Sequence, residues 1–128
     1  MTSRQAFHLR PEGERAFGYA QAVKAGNLIH IAGTLSVDDA FTPLHAGDLE
    51  AQLRTIYASV RETLAQFGAS LGNVVRETIF VTDMEAFLAA NRARIEVYEG
   101  WFPATTAVEV RRLAFAECMV EIEITASL

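Results

Sequence analysis

Two carboxylates, Glu121 and Glu123, stand at i and i+2 in the run Met119 to Ser127. On a β-strand such a pair points to one side with its members about 7 Å apart. Either the two form a solvated strand face, or one of them lines an interface pocket and works as a general acid/base. Tyr19, in Phe17-Gly18-Tyr19-Ala20-Gln21, reads as a buried aromatic or as a pocket wall. Asn91 falls on the inner stripe of a predicted helix, where an apolar residue is expected. It needs a hydrogen-bonding partner, by default a backbone group.

Other reactive side chains are arranged without a chemical pattern. His8, His30 and His45 are scattered, and none lies at i, i+3 or i+4 from another ligand type; they read as surface or structurally satisfied histidines. No GxSxG, Walker or GxGxxG motif is present. Cys118 is the single cysteine, so it makes no internal disulfide, and no CxxC or paired Cys/His spacing suggests zinc. Glu117 beside it raises a thiol pKa, which makes Cys118 inert.

Length and composition bound the rest. The chain has 128 residues, net charge −5, 51% hydrophobic and 21% charged residues. That suits one folded domain and argues against a protein living on phosphate backbones. The segment Met1–Arg15 lacks the apolar run of a signal peptide, and nothing approaches the ~18 apolar residues of a membrane span. A soluble, cytoplasmic protein is expected.

The elements that must position these residues follow from periodicity. Two apolar runs, 19–23 and 28–33, flank Lys24-Ala25-Gly26-Asn27 and predict a β-hairpin. Residues 36–47 read as a loop. Asp48 then opens a helix whose stripe is Leu49, Leu53, Ile56, Tyr57, Val60, Leu64 and Phe67, with Gly68 after it. Residues 74–81 predict a strand, with Val75, Glu77, Ile79 and Val81 on one face and Val74, Arg76, Thr78 and Phe80 on the other. A second helix places Phe87, Asn91, Ile95, Tyr98 and Phe102 on one side, ended by Pro103. Strands over 105–112 and 119–127 close the order ββαβαββ, an α+β domain with two helices on one face of its sheet. Val120, Ile122, Ile124 and Ala126 should lie under the helices, while the other face also carries apolar residues. Self-association is therefore expected.

Several segments together resemble the RidA/YjgF family of reactive intermediate deaminases. They are Gly18 to Val23, Gly26 to Ile29, Ala32-Gly33, Gln52, Gly68 to Ser70, Asn73 to Met84, Phe87, Asn91, Phe102 to Ala104, Val108 to Val110 and Val120 to Glu123. The match spans roughly residues 17–127, in order and with spacing nearly intact. The resemblance implies a chorismate-mutase-like fold and a homotrimer with ligand clefts between subunits. It implies hydrolysis of enamines and imines, such as 2-aminoacrylate, to 2-keto acids and ammonia without metal or organic cofactor. It places Glu121 in the catalytic role of positioning or activating water, and Tyr19, Gly33 and Asn91 in the cleft.

Three positions depart from that pattern. Thr105 stands where the family's carboxylate-binding arginine follows the Pro-Ala pair. Ala32 replaces a serine or threonine, and Ala107 replaces a frequent cysteine. A guanidinium gives a carboxylate two parallel charge-assisted bonds, whereas threonine gives one neutral hydroxyl. Losing that grip costs on the order of 2–4 kcal/mol of binding. Either Arg15 or Arg10 swings in to replace the cation, or the substrate is larger, less acidic or neutral. The expected partner is a small-molecule substrate, with no nucleic acid and no membrane. The alternative is a non-catalytic trimer that binds a metabolite or client protein. Ribonuclease activity, also attached to the family, finds no basic stripe here.

Overall fold

The computed structural model describes residues 4–128. Met1–Ser3, part of the segment expected to carry no signal peptide, lie outside the described residues. Helix α2 (Leu49–Ala65) shows the residue pattern turning directly into packing. The Asp48 carboxylate accepts the Ala51 backbone N–H at 3.1 Å, capping the first turn. Leu49, Leu53, Ile56, Tyr57, Val60 and Leu64 are all buried, and Phe67 packs on the same core. Each such side chain contributes roughly 1.5–3 kcal/mol on burial. Gly68 follows with φ 71°, the left-handed value that releases the chain from the helix.

That stripe covers one face of a mixed sheet. The strands are β1 (Arg4–Phe7), β2 (Ala22–Ala25), β3 (Leu28–Thr34), β4 (Val74–Val81), β5 (Ala104–Glu109) and β6 (Val120–Ser127). Their spatial order is β1-β2-β3-β6-β4-β5, with β4 and β5 parallel and the other pairs antiparallel. The hairpin joins β2 to β3 through Gly26 at φ 60° and Asn27. Val120, Ile122, Ile124 and Ala126 lie under the helices as expected, each at most 3% exposed. Among the described residues, no helix is long and apolar enough to cross a membrane.

The structure departs from the expected order in three places. The N-terminal segment adds β1, paired with β2, and a short helix α1 (Pro11–Phe17). In β4 the faces of Val74 and Val75 exchange: Val74 is buried and Val75 is 48% exposed. The cause is a bulge, since Val74 pairs with Ala126 and Arg76 with Thr125, leaving Val75 as the extra residue. The second helix is two, α3 (Met84–Ala90) and α4 (Arg92–Tyr98), meeting at Asn91. Its inward stripe runs through Phe87, Arg94, Val97 and Tyr98, while Ile95 and Phe102 are exposed. The buried Glu77 carboxylate on β4 is the reason, because Arg94 and Tyr98 must face the sheet to reach it.

Candidate active site

A second bulge builds the site. Ile31 pairs with Ile124 and Thr34 with Ile122, so β3 has one residue more than β6 between them. That irregularity presents Ala32-Gly33 to the face of β6 that points away from the helices, where Glu121 stands. A Cβ on Gly33 would lie 2.7 Å from Glu121 Oε1 and 2.8 Å from its Cδ. Only glycine lets the carboxyl lie against the strand, and bulges beside sites commonly re-aim side chains in this way.

Around this contact opens a cavity of about 340 Å³. Tyr19 and Glu121 are its polar side chains, with Ala32 and Gly33 forming the floor. The walls are apolar: Phe17, Leu35, Phe41, Ala114 and Phe115. Burial raises the Glu121 carboxyl above its ordinary range, and the neighbouring Glu123 charge raises it further. Burial also raises Tyr19, helped by Glu14 and Glu121 and opposed by Arg10. Tyr19 is thus a neutral donor, and Glu121 holds its proton more readily than an exposed carboxyl does.

Buried polar residues hold the cavity's frame. Glu14, fully buried in α1, accepts the Arg10 N–H at 2.5 Å and the Gln21 N–H at 2.8 Å, with the His8 ring at 3.0 Å. These bonds fix the turn that carries Tyr19. Gln52, buried in α2, donates to the carbonyls of His45 and Glu117 at 3.0 Å each and accepts the Met119 N–H at 2.8 Å. One amide thereby ties both loops that flank the cleft to the core.

The expected site residues divide into two groups. Tyr19, Gly33 and Glu121 come together in the cavity. Asn91, Thr105 and Ala107 do not line it. Asn91 Oδ1 is buried without a partner among the described residues, so the backbone partner expected for it is not found there. Ala107 packs half-buried against the core. Thr105 donates to Glu77 Oε2 or the Pro103 carbonyl (3.0 and 3.1 Å) and accepts from Arg94 Nη2 at 2.7 Å. Arg15 is exposed in the last turn of α1. Arg10 is buried, its guanidinium donating to the carbonyls of Asp38 and Val37 at 2.9 Å each.

His30 lies on the open sheet face with Thr125 Oγ1 3.5 Å away, and His45 is exposed. Burial first, then Glu117 and Glu121, push the buried Cys118 thiol up to about 11, so it stays protonated. Among the described residues no cluster of His, Cys, Asp or Glu could hold a metal ion.

Sequence reasoning missed the aromatic walls, because Phe41 and Phe115 sit in loops without periodicity. It also missed Arg94. A lone glutamate among Val75, Ile79 and Val81 was the available signal that a buried cation must be near.

An α+β sheet with helices on one face and an acid in an apolar cleft on the other defines the class of protein. Residues 11–128 match the model of the endoribonuclease L-PSP family, and the chain belongs to that family, which is the RidA/YjgF family. A RutC family protein of Pyrococcus horikoshii is 35% identical over 105 residues, 82% of each chain. The 3-aminoacrylate deaminase RutC of Acinetobacter baylyi is 31% identical over 104 residues, 81% of this chain and 82% of that one. The crystal structure of Rv2704 from Mycobacterium tuberculosis, a YjgF/YER057c/UK114 family member, superposes with TM-score 0.86 at 33% identity, covering 98% of this chain and all of that one.

Proposed function

We propose that the protein is a RidA-like hydrolase that deaminates an enamine, imine or related small metabolite, with Glu121 as its acid/base group. The observation that carries this reading is the Glu121 carboxyl, raised in pKa and held against Gly33 beside Tyr19 in an apolar cavity. Water adds to the imine carbon while Glu121 accepts its proton. The same proton then passes to nitrogen to give a carbinolamine. Glu121 next takes the carbinolamine's hydroxyl proton and delivers it to nitrogen as the C–N bond breaks, so that a carbonyl compound and ammonia leave. An enamine first takes a proton on carbon to become the imine. The deaminase name of the Acinetobacter baylyi relative agrees with this chemistry.

The cleft lies between subunits of a homotrimer in this reading. Leu28 and Val108 leave apolar surface on the open sheet side, 41% and 38% exposed. Asn91, Thr105 and Ala107, which do not reach this chain's own cavity, would complete a neighbour's. The substrate is not a simple 2-imino acid in this reading, because the Thr105 hydroxyl is engaged by Glu77 and Arg94 and, among the described residues of this chain, no cation lines the cavity. Net charge −5 gives RNA no electrostatic attraction, and the cytoplasm is the compartment proposed. Glu121→Ala and wild type, compared across a panel of imines and enamines, test the role; equal rates would sink it. Light scattering that reports a monomer would contradict the trimer.

The engagement of Thr105 also favours a second reading, a non-catalytic trimer that binds a metabolite or client protein. Calorimetry showing ligand binding with no turnover on that panel would favour it.

A further inference from the structure

We propose that the cleft selects an imine or enamine that carries an aromatic-sized apolar substituent and no carboxylate; this rests on the deaminase reading and names its substrate class. The first observation is the wall. Three phenylalanines, Phe17, Phe41 and Phe115, with Leu35 and Ala114, surround a cavity of about 340 Å³ whose polar side chains are Tyr19 and Glu121. A small polar metabolite would leave most of that apolar surface wet, whereas a ring would cover it.

The wall is built rather than incidental. The Phe41 ring lies against α1 at Gly13, where a Cβ would overlap it. Phe17 meets Phe41 edge to face, centroids 5.5 Å apart at 63°. The Arg10 guanidinium stands 5.9 Å from the Phe41 centroid while its donors hold the carbonyls of Val37 and Asp38, in the same loop. Phe17 nevertheless remains 65% exposed, a large ring at the cavity mouth with one side uncovered.

The second observation is charge. Among the described residues of this chain, no lysine or arginine lines the cavity. Arg10, whose charge reaches Tyr19, has its guanidinium engaged by backbone carbonyls and by Ser59 Oγ at 3.4 Å. The acidic groups acting on the cleft are Glu121 itself, Glu123 and Glu14. A carboxylate entering beside Glu121 meets like charge in a half-buried, apolar setting, where repulsion is stronger than in water. A neutral imine or a cationic iminium meets none.

Ligand-detected NMR titrations of the full-length protein at pH 8 with phenylacetamide, phenylacetate and acetamide test this without needing turnover. Phenylacetamide should bind, phenylacetate at least tenfold more weakly, and acetamide not detectably at the same concentrations. Phe17→Ala, a surface change that leaves the core intact, should weaken phenylacetamide about three- to tenfold. Glu121→Gln should bring phenylacetate to within about threefold of phenylacetamide, a change that a merely structural role for Glu121 would not produce. The proposal is overturned if phenylacetamide does not bind, if phenylacetate binds as tightly, or if acetamide matches the aromatic amide. Indifference to Phe17→Ala would overturn it too. If the binding pattern holds while no imine is turned over, the selectivity stands and the deaminase reading falls. If imines turn over without the pattern, the reverse is true.

Discussion

Glu77 and Glu121 sit on neighbouring strands of one sheet, on opposite faces, and both are taken out of bulk water. Glu77 is fully buried, and its Oε1 accepts from Tyr57 and Tyr98 at 2.7 and 2.9 Å. Its Oε2 accepts from Arg94 and Thr105 at 2.7 and 3.0 Å. Burial and the Glu77 charge push both tyrosines well above their ordinary pKa, so they serve as donors throughout the accessible pH range. Glu121 has the opposite surroundings: apolar walls, a second acid nearby, and among the described residues no hydrogen bond to favour its ionised form. A carboxylate with every lone pair answered holds a fold together, and one left unanswered in a cleft is available to take and give a proton.

The sharpest way to break this contrast is to remove each function in turn. Glu121→Gln should lower kcat/KM on a responsive imine by about a hundredfold to ten-thousandfold, the usual range for a lost acid/base group. Its unfolding free energy, measured in urea, should change by less than about 1 kcal/mol. A variant with wild-type rates would place the chemistry elsewhere.

Arg94→Met reverses the pattern. It leaves Glu77 buried without its cation and should cost about 3–5 kcal/mol in urea unfolding. An unchanged midpoint would mean that the tyrosine and threonine donors satisfy Glu77 alone. The same network shows why the position after the Pro-Ala pair holds threonine here. Thr105→Arg would set a second guanidinium beside Arg94, with one carboxylate between them.

Gly33→Ala should have a smaller effect, about 1–3 kcal/mol, because its new methyl meets the Glu121 carboxyl 2.7 Å away. Combining it with Glu121→Ala should recover most of the loss, read as the coupling in a double-mutant cycle. Additive losses would show that the β3 bulge needs glycine for its own backbone rather than for the carboxyl.

The sequence made these two regions unequally legible. Helix α2 and strand β6 could be read residue by residue, since 3.6- and 2-residue periods translate directly into buried faces. Bulges broke that rule at Val75 and at Ala32-Gly33, because an extra residue shifts every face beyond it while leaving composition unchanged. Glu121 and Tyr19 stand out by residue type and spacing, Gly33 only through the family resemblance, and the three converge in space. The walls were not found: Phe41 and Phe115 are brought to Phe17 of α1 by loops that Arg10 and Gln52 hold from a distance. Arg94 was missed for a related reason. A charged residue on a helix is assigned to solvent unless its buried partner is recognised first.

The smallest effect separates the two causes of Glu121's raised pKa. For Glu121 to accept a proton from water it must be ionised, so kcat/KM should rise with pH as it ionises, with a midpoint above the ordinary 4.5. Burial is the larger cause and Glu123 the smaller. Glu123→Gln should therefore move the rising limb to lower pH without returning it to 4.5. Stability carries the same signature with its own sign. The folded chain binds this proton more tightly than the unfolded chain does, so Glu121 makes stability fall as pH rises from the ordinary value through the raised one. Glu121→Gln should remove that slope, and Glu123→Gln should narrow the window over which it acts. A limb that does not move in Glu123→Gln would leave burial by the apolar walls as the whole cause. The contrast with Glu77 would then be one of solvation alone.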